Sequence, residues 1–335
     1  MSFIASERRY QQMDYRRLGT SGLKLPPISL GLWHNFGDSG HYDNMRKMCF
    51  TAFDLGITHF DLADNYGPAP GAAEINFGRI LKEELAAYRD ELIISTKAGY
   101  LMWEGPYGDF GSRKHLMSGL VQSLKRMKLD YVDIFYHHRM DPETPLEETM
   151  LALSDIVRQG KALYIGLSNY NGETLQKAEA ILRELRCPFV ICQNRYSIFD
   201  RTVHHNGVFD MARKLGKGMI VFSPLAQGLL TDRYLAGIPE DSRVRTDGRF
   251  LNETRVTPKV IQQAAALQRI AQARGQSLAQ MALAWVLQKA PVTSALIGAS
   301  KPEQIADNVK AVRCLDFTEE ELRAIDRIAF DETDA

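Results

Sequence analysis

Residues 132–158, VDIFYHHRMDPETPLEETMLALSDIVR, contain the pattern that decides the fold. The short apolar run 132–137 is followed by a polar, proline-containing turn and then by 146–158, where apolar residues recur at helical spacing. An apolar run bounded by turn residues is typical of a buried strand, and the second pattern indicates an amphipathic helix. The stretch therefore predicts one strand followed by one helix.

The same strand-then-helix unit repeats along the chain. The predicted strands lie at 28–31, 58–62, 92–96, 132–137, 162–167, 189–193, 219–222 and 295–297. The helices that follow them lie at 44–55, 72–85, 112–127, 146–158, 172–185, 203–215, 258–274 and 302–312. Because a helix follows each strand, all the strands should run parallel with right-handed crossovers, and eight such units close into a barrel. The predicted fold class is therefore α/β, a (β/α)8 TIM barrel.

Several segments are additions to this repeat. Helices are predicted at 278–289 and 318–328 beyond the eight units, and residues 15–25 predict an N-terminal β-hairpin that could plug one end of the barrel. The segment 225–257 has weak periodicity and is long for a loop in a compact domain, which indicates a functional role. No linker or composition break divides the chain, so 1–335 is expected to form a single domain.

The composition narrows the class of function. Lys plus Arg number 41 and Asp plus Glu number 41, so the formal net charge is zero, which argues against nucleic-acid binding. No stretch approaches the roughly 20 apolar residues that cross a bilayer, and no apolar signal segment begins the chain. The four cysteines form no CxxC pair and no zinc-like spacing. We therefore expect a cytoplasmic protein with no metal, no nucleic-acid partner and no membrane contact.

Polar side chains end most of the predicted strands. In a barrel of this kind the active site collects at the C-terminal strand ends. Chains also turn polar wherever a strand ends, so a surface or capping role stays open for each of these residues alone. The polar strand-end residues are Asp61, Lys97, His137, His138, Ser168, Asn169, Gln193, Asn194, Ser223 and Ser300.

Lys97 gives the sharpest chemical prediction among them. A lysine that ends an apolar strand is costly to bury unless a carboxylate pairs with it, and Asp61 ends a nearby strand. A charged Lys97 within about 4 Å of the Tyr66 hydroxyl would favour phenolate by roughly 4 kcal/mol, or about three pKa units. Tyr66 is then predicted to be a general acid for a carbonyl oxygen. A neutral His138 could orient the same oxygen through a hydrogen bond.

The motifs around these residues resemble those of the aldo-keto reductase family over about residues 15–315. The resemblance implies a (β/α)8 barrel, carbonyl reduction with NADPH, and a catalytic tetrad of Asp61, Tyr66, Lys97 and His138. Strand alternation sends only one of the two adjacent histidines into the pocket, and the family register favours His138. The motifs are GLW at 31–33, GITHFDLADNYG at 56–67, Lys97, LDYVD at 129–133, GLSNY at 166–170, QN at 193–194, SPL at 223–225 and IGAS at 297–300.

A dinucleotide would have to bind without a Rossmann loop, because the sequence has no GxGxxG motif. Residues 298–304 run from the last predicted strand into a helix whose first-turn N–H groups could hold a phosphate, although an ordinary helix cap stays open for Ser300. The resemblance implies NADPH/NADP+ as the cofactor. The cofactor contacts that it implies are Trp33, Asp61, Ser168, Asn169, Gln193, Phe222, Ser223, Leu225, Gln227, Arg233, Arg243, Gly298, Ser300, Gln304, Asp307 and Asn308.

Within the family, HRMDPETP at 138–145 and SPLAQGLLT at 223–231 resemble one branch. That branch includes the β subunits of voltage-gated potassium channels and bacterial reductases of L-glyceraldehyde 3-phosphate. The channel subunits carry Asn at the position of His138, so the histidine favours a working reductase. The resemblance implies reduction of a small aldehyde, with L-glyceraldehyde 3-phosphate as the leading substrate and methylglyoxal as a second. It also implies a homo-oligomer, a tetramer or larger.

Candidate substrate contacts at the barrel mouth are Trp33, Tyr66, Trp103, His138 and Arg139. Arg139 could bind the phosphate of a substrate, or it could pair with Asp141 or Glu143. Two other classes of function stay open. One is an NADPH-sensing partner subunit with little turnover, and the other is an aldolase that uses Lys97 as a Schiff-base amine.

Overall fold

The computed structural model describes residues 3–67, 69–240, 242–248 and 251–330, with only the main chain at residues 243 and 246. Eight of its strands are parallel and form a closed barrel, and the two short N-terminal strands pair antiparallel. The strands are β1 (Arg16–Arg17), β2 (Lys24–Leu25), β3 (Ile28–Gly31), β4 (His59–Asp61), β5 (Ile93–Ala98), β6 (Val132–His137), β7 (Ala162–Ser168), β8 (Phe189–Arg195), β9 (Gly218–Phe222) and β10 (Val292–Ile297).

The barrel strands follow each other in chain order from β3 to β10, and β10 closes the barrel by pairing with both β3 and β9. The predicted (β/α)8 barrel is therefore confirmed. The helices around it are α1 (Tyr42–Asp54), α2 (Ala72–Ile80), α3 (Arg113–Met127), α4 (Leu146–Arg158), α5 (Gly172–Glu184), α6 (Thr202–His205), α7 (Val208–Lys214), α8 (Arg243–Thr246), α9 (Pro258–Ala273), α10 (Leu278–Leu287), α11 (Pro302–Val309) and α12 (Glu319–Ala329).

The two helices outside the eight-unit repeat are α9 and α12. The predicted extra helix at 318–328 corresponds to α12, but the one predicted at 278–289 corresponds to α10, which belongs to the repeat. All of α10 except one residue is buried, and this helix packs against β10, α9 and α11. In α9 only Ala264, Leu267 and Ala271 are buried, and this helix packs against α10 and α12. A helix that is apolar nearly all round belongs against the barrel, whereas one with a narrow apolar stripe belongs outside it. The helix that was expected to be extra, α10, is therefore the helix of the crossover between β9 and β10.

The hairpin of β1 and β2 covers the N-terminal end of the barrel. Its Leu18 and Leu25 are fully buried and belong to the same apolar cluster as Ile134 and Ile220 in the barrel interior. Because this end is filled by apolar side chains, an incoming molecule must reach the interior from the opposite end. That C-terminal opening is called the mouth below.

The long segment between β9 and α9 has a small core of its own. Leu229, Tyr234, Val244, Leu251 and Val256 are buried against each other there. This cluster fixes the described part of the segment beside the mouth. No helix in the described ranges is long and apolar enough to cross a membrane.

Candidate active site

Lys97 lies in the barrel interior, in β5, with no exposed surface. Its Nζ atom is 2.5 Å from Asp61 Oδ2, 2.6 Å from the Leu62 carbonyl oxygen and 3.3 Å from the Tyr66 hydroxyl. An ammonium has three N–H donors and no acceptor, so these three contacts use all of its hydrogen-bonding capacity. Burial lowers the Lys97 pKa, and the Asp61 carboxylate opposes that effect.

Tyr66 follows β4 on a loop at the mouth. Because an ammonium can only donate, the Tyr66 oxygen accepts the bond from Lys97 and keeps its own O–H for another acceptor. Burial raises the Tyr66 pKa well above its ordinary value, and the nearby Asp61 charge adds to that rise. The net shift of the Tyr66 pKa is therefore opposite to the lowering expected from Lys97, because burial dominates in the isolated chain. A buried phenol next to a neutralised ion pair stays protonated.

The two adjacent histidines point to different surroundings, as strand alternation requires. The His138 ring meets the Tyr66 ring edge-on, with 6.0 Å between the ring centroids, and it meets Tyr100 edge-on at 4.6 Å. The His137 Nδ1 atom lies 2.7 Å from the Tyr170 hydroxyl instead. Burial lowers the pKa of both rings, that of His137 to about 3. His138 is thus the neutral imidazole that shares the mouth with Tyr66.

Ser168, Asn169 and Gln193 lie together at the ends of β7 and β8. The Asn169 side chain donates to the His138 carbonyl oxygen at 2.9 Å and to the Ser168 hydroxyl at 3.2 Å. The Gln193 amide donates to Asp61 Oδ1 at 3.2 Å. Asn169 has φ of 59°, a left-handed conformation that is uncommon for a residue other than glycine. Hydrogen bonds from Asn169 and Gln193 therefore link the ends of β7 and β8 to the His138 main chain and to Asp61.

The loop after β9 has an unusual backbone. Ser223, Ala226 and Gln227 all have positive φ, at 55°, 46° and 59°. Three non-glycine residues in this region within five positions store strain, which is characteristic of loops that hold a ligand. Leu225 lies between them, and its carbonyl oxygen accepts from the Gly228 N–H at 2.9 Å.

Phe222 is half-buried at the end of β9. Its neighbour Arg195 is not among the site residues predicted from the sequence. The guanidinium of Arg195 lies 5.7 Å from the centroid of the Phe222 ring, and the two residues pair in register between β8 and β9. Arg195 ends β8 two positions after Gln193, so strand alternation places it on the same face. The two-residue spacing from Gln193 is the sequence signal that could have identified Arg195 as a residue on the same face of β8.

The segment after β10 forms a compact turn before α11. Gln304 Oε1 accepts from the Ser300 N–H at 2.8 Å and from its hydroxyl at 3.1 Å. The side chains of Asn35 and Asn44 donate to the carbonyls of Ala299, at 2.6 Å, and of Ser300. Within the described chain, the N-cap residue of α11, Lys301, makes no side-chain capping bond. Its carbonyl oxygen accepts from the Gln304 N–H at 3.2 Å, and Pro302 has no N–H, so few first-turn donors remain for an anion.

The remaining predicted cofactor contacts have different surroundings. Asp307 faces α10, where its carboxylate accepts from Gln280 at 2.7 Å, and Asn308 is buried. Gly298 has open space where a side chain would be. Arg233 is exposed in the segment after β9, and the Arg243 side chain lies outside the described residues.

The chain matches the family model described as "Aldo/keto reductase family" over residues 27–329. The chain belongs to this family. It is 55% identical over 333 residues to "L-glyceraldehyde 3-phosphate reductase" of Escherichia coli O157:H7 and of strain K12, covering 98% of this chain and 95% of each relative. It is 38% identical over 326 residues to "Putative voltage-gated potassium channel subunit beta" of Schizosaccharomyces pombe, covering 95% of this chain and 94% of that relative.

Aldo/keto reductases are oxidoreductases that generally use NADP(H), and this member acts as an oxidoreductase on aldehydes. Its own residues fit such a dinucleotide. The turn after β9 has the strained backbone that is characteristic of ligand-holding loops, the start of α11 has no side-chain cap, and Phe222 presents a flat ring at the end of β9. Among the described residues, no cluster of three metal-ligating side chains occurs.

The wall of this reductase's mouth differs from the prediction at Arg139. The guanidinium of Arg139 is 2.5 Å from Asp109 Oδ1, and it lies between the rings of Tyr100 and Phe110, 4.4 and 4.1 Å from their centroids. The predicted pairing with Asp141 or Glu143 is wrong. Asp141 instead accepts main-chain N–H bonds, including that of Gly111 at 2.8 Å.

The two tryptophans predicted to contact the substrate have different neighbours. The Trp33 ring centroid is 6.3 Å from that of Tyr66. Trp103 packs edge-on against His115 of α3, with 5.1 Å between centroids. Trp33 therefore lies against the tetrad, whereas Trp103 is anchored to α3.

Proposed function

We propose that this protein reduces a small aldehyde to an alcohol, with Tyr66 as the proton donor and NADPH as the cofactor. The observation that carries this proposal is the contact of the buried Lys97 ammonium with the Tyr66 hydroxyl. NADPH, when bound, supplies a hydride for the carbonyl carbon. The four unpaired cysteine thiols suit the reducing cytoplasm in which we propose that the enzyme works as a single domain.

Tyr66 would give its O–H proton to the carbonyl oxygen of the aldehyde. Its high pKa keeps the phenol protonated at neutral pH, so the proton is present when the substrate arrives. Lys97 donates to the same oxygen and would stabilise the phenolate that remains, while Asp61 holds the ammonium in place. A neutral His138 would donate a hydrogen bond that orients the carbonyl oxygen.

The residues that would hold NADPH surround the mouth. Ser168, Asn169 and Gln193 would bind the nicotinamide carboxamide, and Phe222 would stack on the ring. The strained turn after β9 would bind the pyrophosphate, and the start of α11 would bind the adenosine 2′-phosphate. The full set that we propose is Trp33, Asp61, Ser168, Asn169, Gln193, Phe222, Ser223, Leu225, Gln227, Arg233, Arg243, Gly298, Ser300, Gln304, Asp307 and Asn308.

L-glyceraldehyde 3-phosphate is the first substrate that we propose, and methylglyoxal is the second. The 55% identity to two reductases named for the former supports that order. Trp33, Trp103, His138 and Arg139 would contact the substrate. Arg139 supplies a cation for the phosphate, although Asp109 neutralises part of its charge in the isolated chain.

Replacement Tyr66→Phe tests the proposal because it removes the donated proton and keeps the aromatic ring. We expect kcat with L-glyceraldehyde 3-phosphate to fall by at least about a hundredfold, as for loss of a general acid. Quenching of protein fluorescence by NADPH should give a Kd within about twofold of wild type, because the ring is retained. Tyr196→Phe is the matched control, since the Tyr196 hydroxyl bonds to His204, apart from the tetrad.

A Tyr66→Phe enzyme with activity within about tenfold of wild type would contradict the general-acid role. Equal losses with Tyr196→Phe would point to folding in place of chemistry. Steady-state assays with both enantiomers of glyceraldehyde 3-phosphate and with methylglyoxal order the substrates. NADH beside NADPH in the same assays tests the cofactor preference.

A second candidate function is an NADPH-binding partner subunit with little turnover. The 38% identity to a protein named as a putative channel β subunit favours it. Single-turnover oxidation of bound NADPH by an aldehyde separates the two functions, because a reductase should complete that turnover within seconds. We also propose a homo-oligomer, a tetramer or larger, which sedimentation velocity would measure.

A further inference from the structure

A line of polar side chains crosses the barrel interior below Lys97. Ser294, Ser29, His59, Ser95 and Asp61 come from the neighbouring strands β10, β3, β4 and β5, and none of them has exposed surface. Unsatisfied polar groups in such a place would be costly. Each of these five instead contacts the next one, and the set is called the interior chain below.

The distances along the interior chain are all short. Ser294 Oγ is 2.7 Å from Ser29 Oγ, which is 2.9 Å from His59 Nδ1. On the other side of the ring, His59 Nε2 is 2.9 Å from Ser95 Oγ, and Ser95 Oγ is 2.7 Å from Asp61 Oδ1. Both ring nitrogens of His59 are therefore engaged by hydroxyl groups, and one of those hydroxyls touches Asp61.

The carboxylate of Asp61 fixes the direction of the bonds nearest to it. Asp61 is paired with the Lys97 ammonium and can only accept, so Ser95 must give its single hydroxyl proton to Asp61. The Ser95 oxygen then needs a donor on its other side, and in the described part of the chain His59 Nε2 is the group that lies there, at 2.9 Å. His59 therefore carries its proton on Nε2.

The remaining bonds follow from the tautomer. Burial lowers the His59 pKa to about 4, so the ring is neutral near pH 7 and its Nδ1 atom is an acceptor. Ser29 must then donate to Nδ1, and because a hydroxyl has one proton, Ser294 must donate to Ser29. Every donor in the interior chain thus points toward Asp61.

We propose that His59 is a positioning residue for the reaction, locked as the Nε2–H tautomer so that the interior chain directs a donor at Asp61. Asp61 in turn orients Lys97 under the Tyr66 hydroxyl, so this inference rests on the proposed function of Tyr66. Hydrogen bonds in such a series polarise each other, which strengthens the last one, to the carboxylate. The other titratable groups that face Asp61 are Lys97, Tyr66 and Tyr136.

Nitrogen NMR of the histidine rings in the full-length wild-type protein tests the tautomer without any assay of activity. We expect His59 to give one protonated signal at Nε2 and one unprotonated signal at Nδ1, with no change between pH 6 and 8, since burial keeps the ring neutral. The signals are assigned by their loss in His59→Gln. A proton on Nδ1, or an imidazolium within that pH range, would overturn the proposal.

Two substitutions of His59 test the positioning role. A glutamine side chain has a donor nitrogen and an acceptor oxygen joined through one carbon, as the two nitrogens of the neutral ring are, whereas leucine has neither. We expect kcat to fall by about tenfold to a hundredfold in His59→Leu and by less than about threefold in His59→Gln, with KM for NADPH unchanged in both. Equal losses in the two variants would overturn the positioning role.

Serine variants keep the test decisive if His59→Leu fails to fold. Ser95→Ala removes the donor to Asp61, and Ser294→Ala removes the far end of the interior chain, so kcat should fall more in the first than in the second. Ser154→Ala is the matched control, because Ser154 is a buried serine of α4, outside the barrel strands. If Ser95→Ala has no more effect than Ser154→Ala, the interior chain does not act on the reaction. Loss of activity in Tyr66→Phe tests the proposed function separately.

Discussion

Two buried carboxyl groups three residues apart, Asp61 and Asp64, have opposite surroundings. Both side chains have no exposed surface. Asp61 points into the barrel and accepts from Ser95, Lys97 and Gln193. Asp64 has no side-chain hydrogen-bond partner among the described residues. Burial is the same for the two groups, so the difference between them lies in the donors around each carboxyl.

Glu74 explains why Asp64 lacks a partner. The Glu74 carboxylate takes the Arg126 guanidinium at 2.6 Å and the Thr96 hydroxyl at 2.5 Å, on the outer face of the barrel. Burial raises the Asp64 pKa well above its ordinary value, and the Glu74 charge adds to the rise. A buried carboxyl without side-chain donors thus has a raised pKa, whereas one with donors can serve as the counter-ion of Lys97.

Removing the lysine from the inner carboxylate should have the largest effect. In Lys97→Met, Asp61 becomes a buried charge without its cation, which should lower the free energy of unfolding by about 3–5 kcal/mol. The phenolate formed on Tyr66 also loses its stabilising ammonium, so we expect kcat to fall at least about a hundredfold. Urea unfolding and steady-state kinetics measure the two effects.

The double variant Asp61→Asn, Lys97→Met separates these effects. It removes both charges, so part of the lost stability should return while kcat stays low. Recovery of activity in the double variant would show that the ion pair is only structural. No difference in stability between the single and double variants would show that Asp61 is not an uncompensated charge.

Replacing the outer carboxyl should have a smaller, pH-dependent effect. Because folding raises the Asp64 pKa, the folded protein binds more protons than the unfolded chain above about pH 3.8, and stability falls as pH rises toward the folded pKa. Asp64→Asn removes this loss, so the variant should become more stable relative to wild type as pH increases, by at most about 1.4 kcal/mol per pH unit.

Urea unfolding at pH 5, 6, 7 and 8 measures this trend. Asp130→Asn is the control, because Asp130 is exposed. A stability difference between Asp64→Asn and wild type that is constant over this range would contradict a strongly raised pKa of Asp64 in the folded protein.

The sequence predicted the features that depend on local pattern, which are the bounds of strands and helices and the strand ends that carry Asp61 and Lys97. The strand 132–137 and the helix 146–158 have the predicted bounds, because periodicity is a property of neighbouring residues. Asp61 and Lys97 were expected to meet because parallel strands place their C-terminal ends at one edge. Both the barrel and the juxtaposition of the tetrad follow from these two rules.

What the sequence could not predict depends on burial and on loops that are distant in the chain. One of the two alternatives for Arg139 was a pair with a nearby acid, Asp141 or Glu143, but it pairs with Asp109, which is 30 positions away. The Tyr66 pKa depends on how completely the folded chain excludes water, which no motif records. The same holds for the Asp64 pKa, since Asp64 lies inside the motif at 56–67 and yet has no side-chain donor among the described residues.

The ion pair of Arg139 and Asp109 at the mouth is partly exposed, in contrast to the buried pair of Lys97 and Asp61. Removing it should have the smallest effects. Arg139 and Asp109 are 28% and 29% exposed, so Asp109→Asn should change the free energy of unfolding by less than about 1 kcal/mol. Without the Asp109 carboxylate, the positive charge of Arg139 has no counter-charge from that residue and attracts an incoming phosphate more strongly. We expect KM for L-glyceraldehyde 3-phosphate to fall a few-fold at low salt, with KM for methylglyoxal unchanged because that aldehyde has no phosphate. Equal changes in the two KM values would mean that Arg139 shapes the mouth without binding the phosphate.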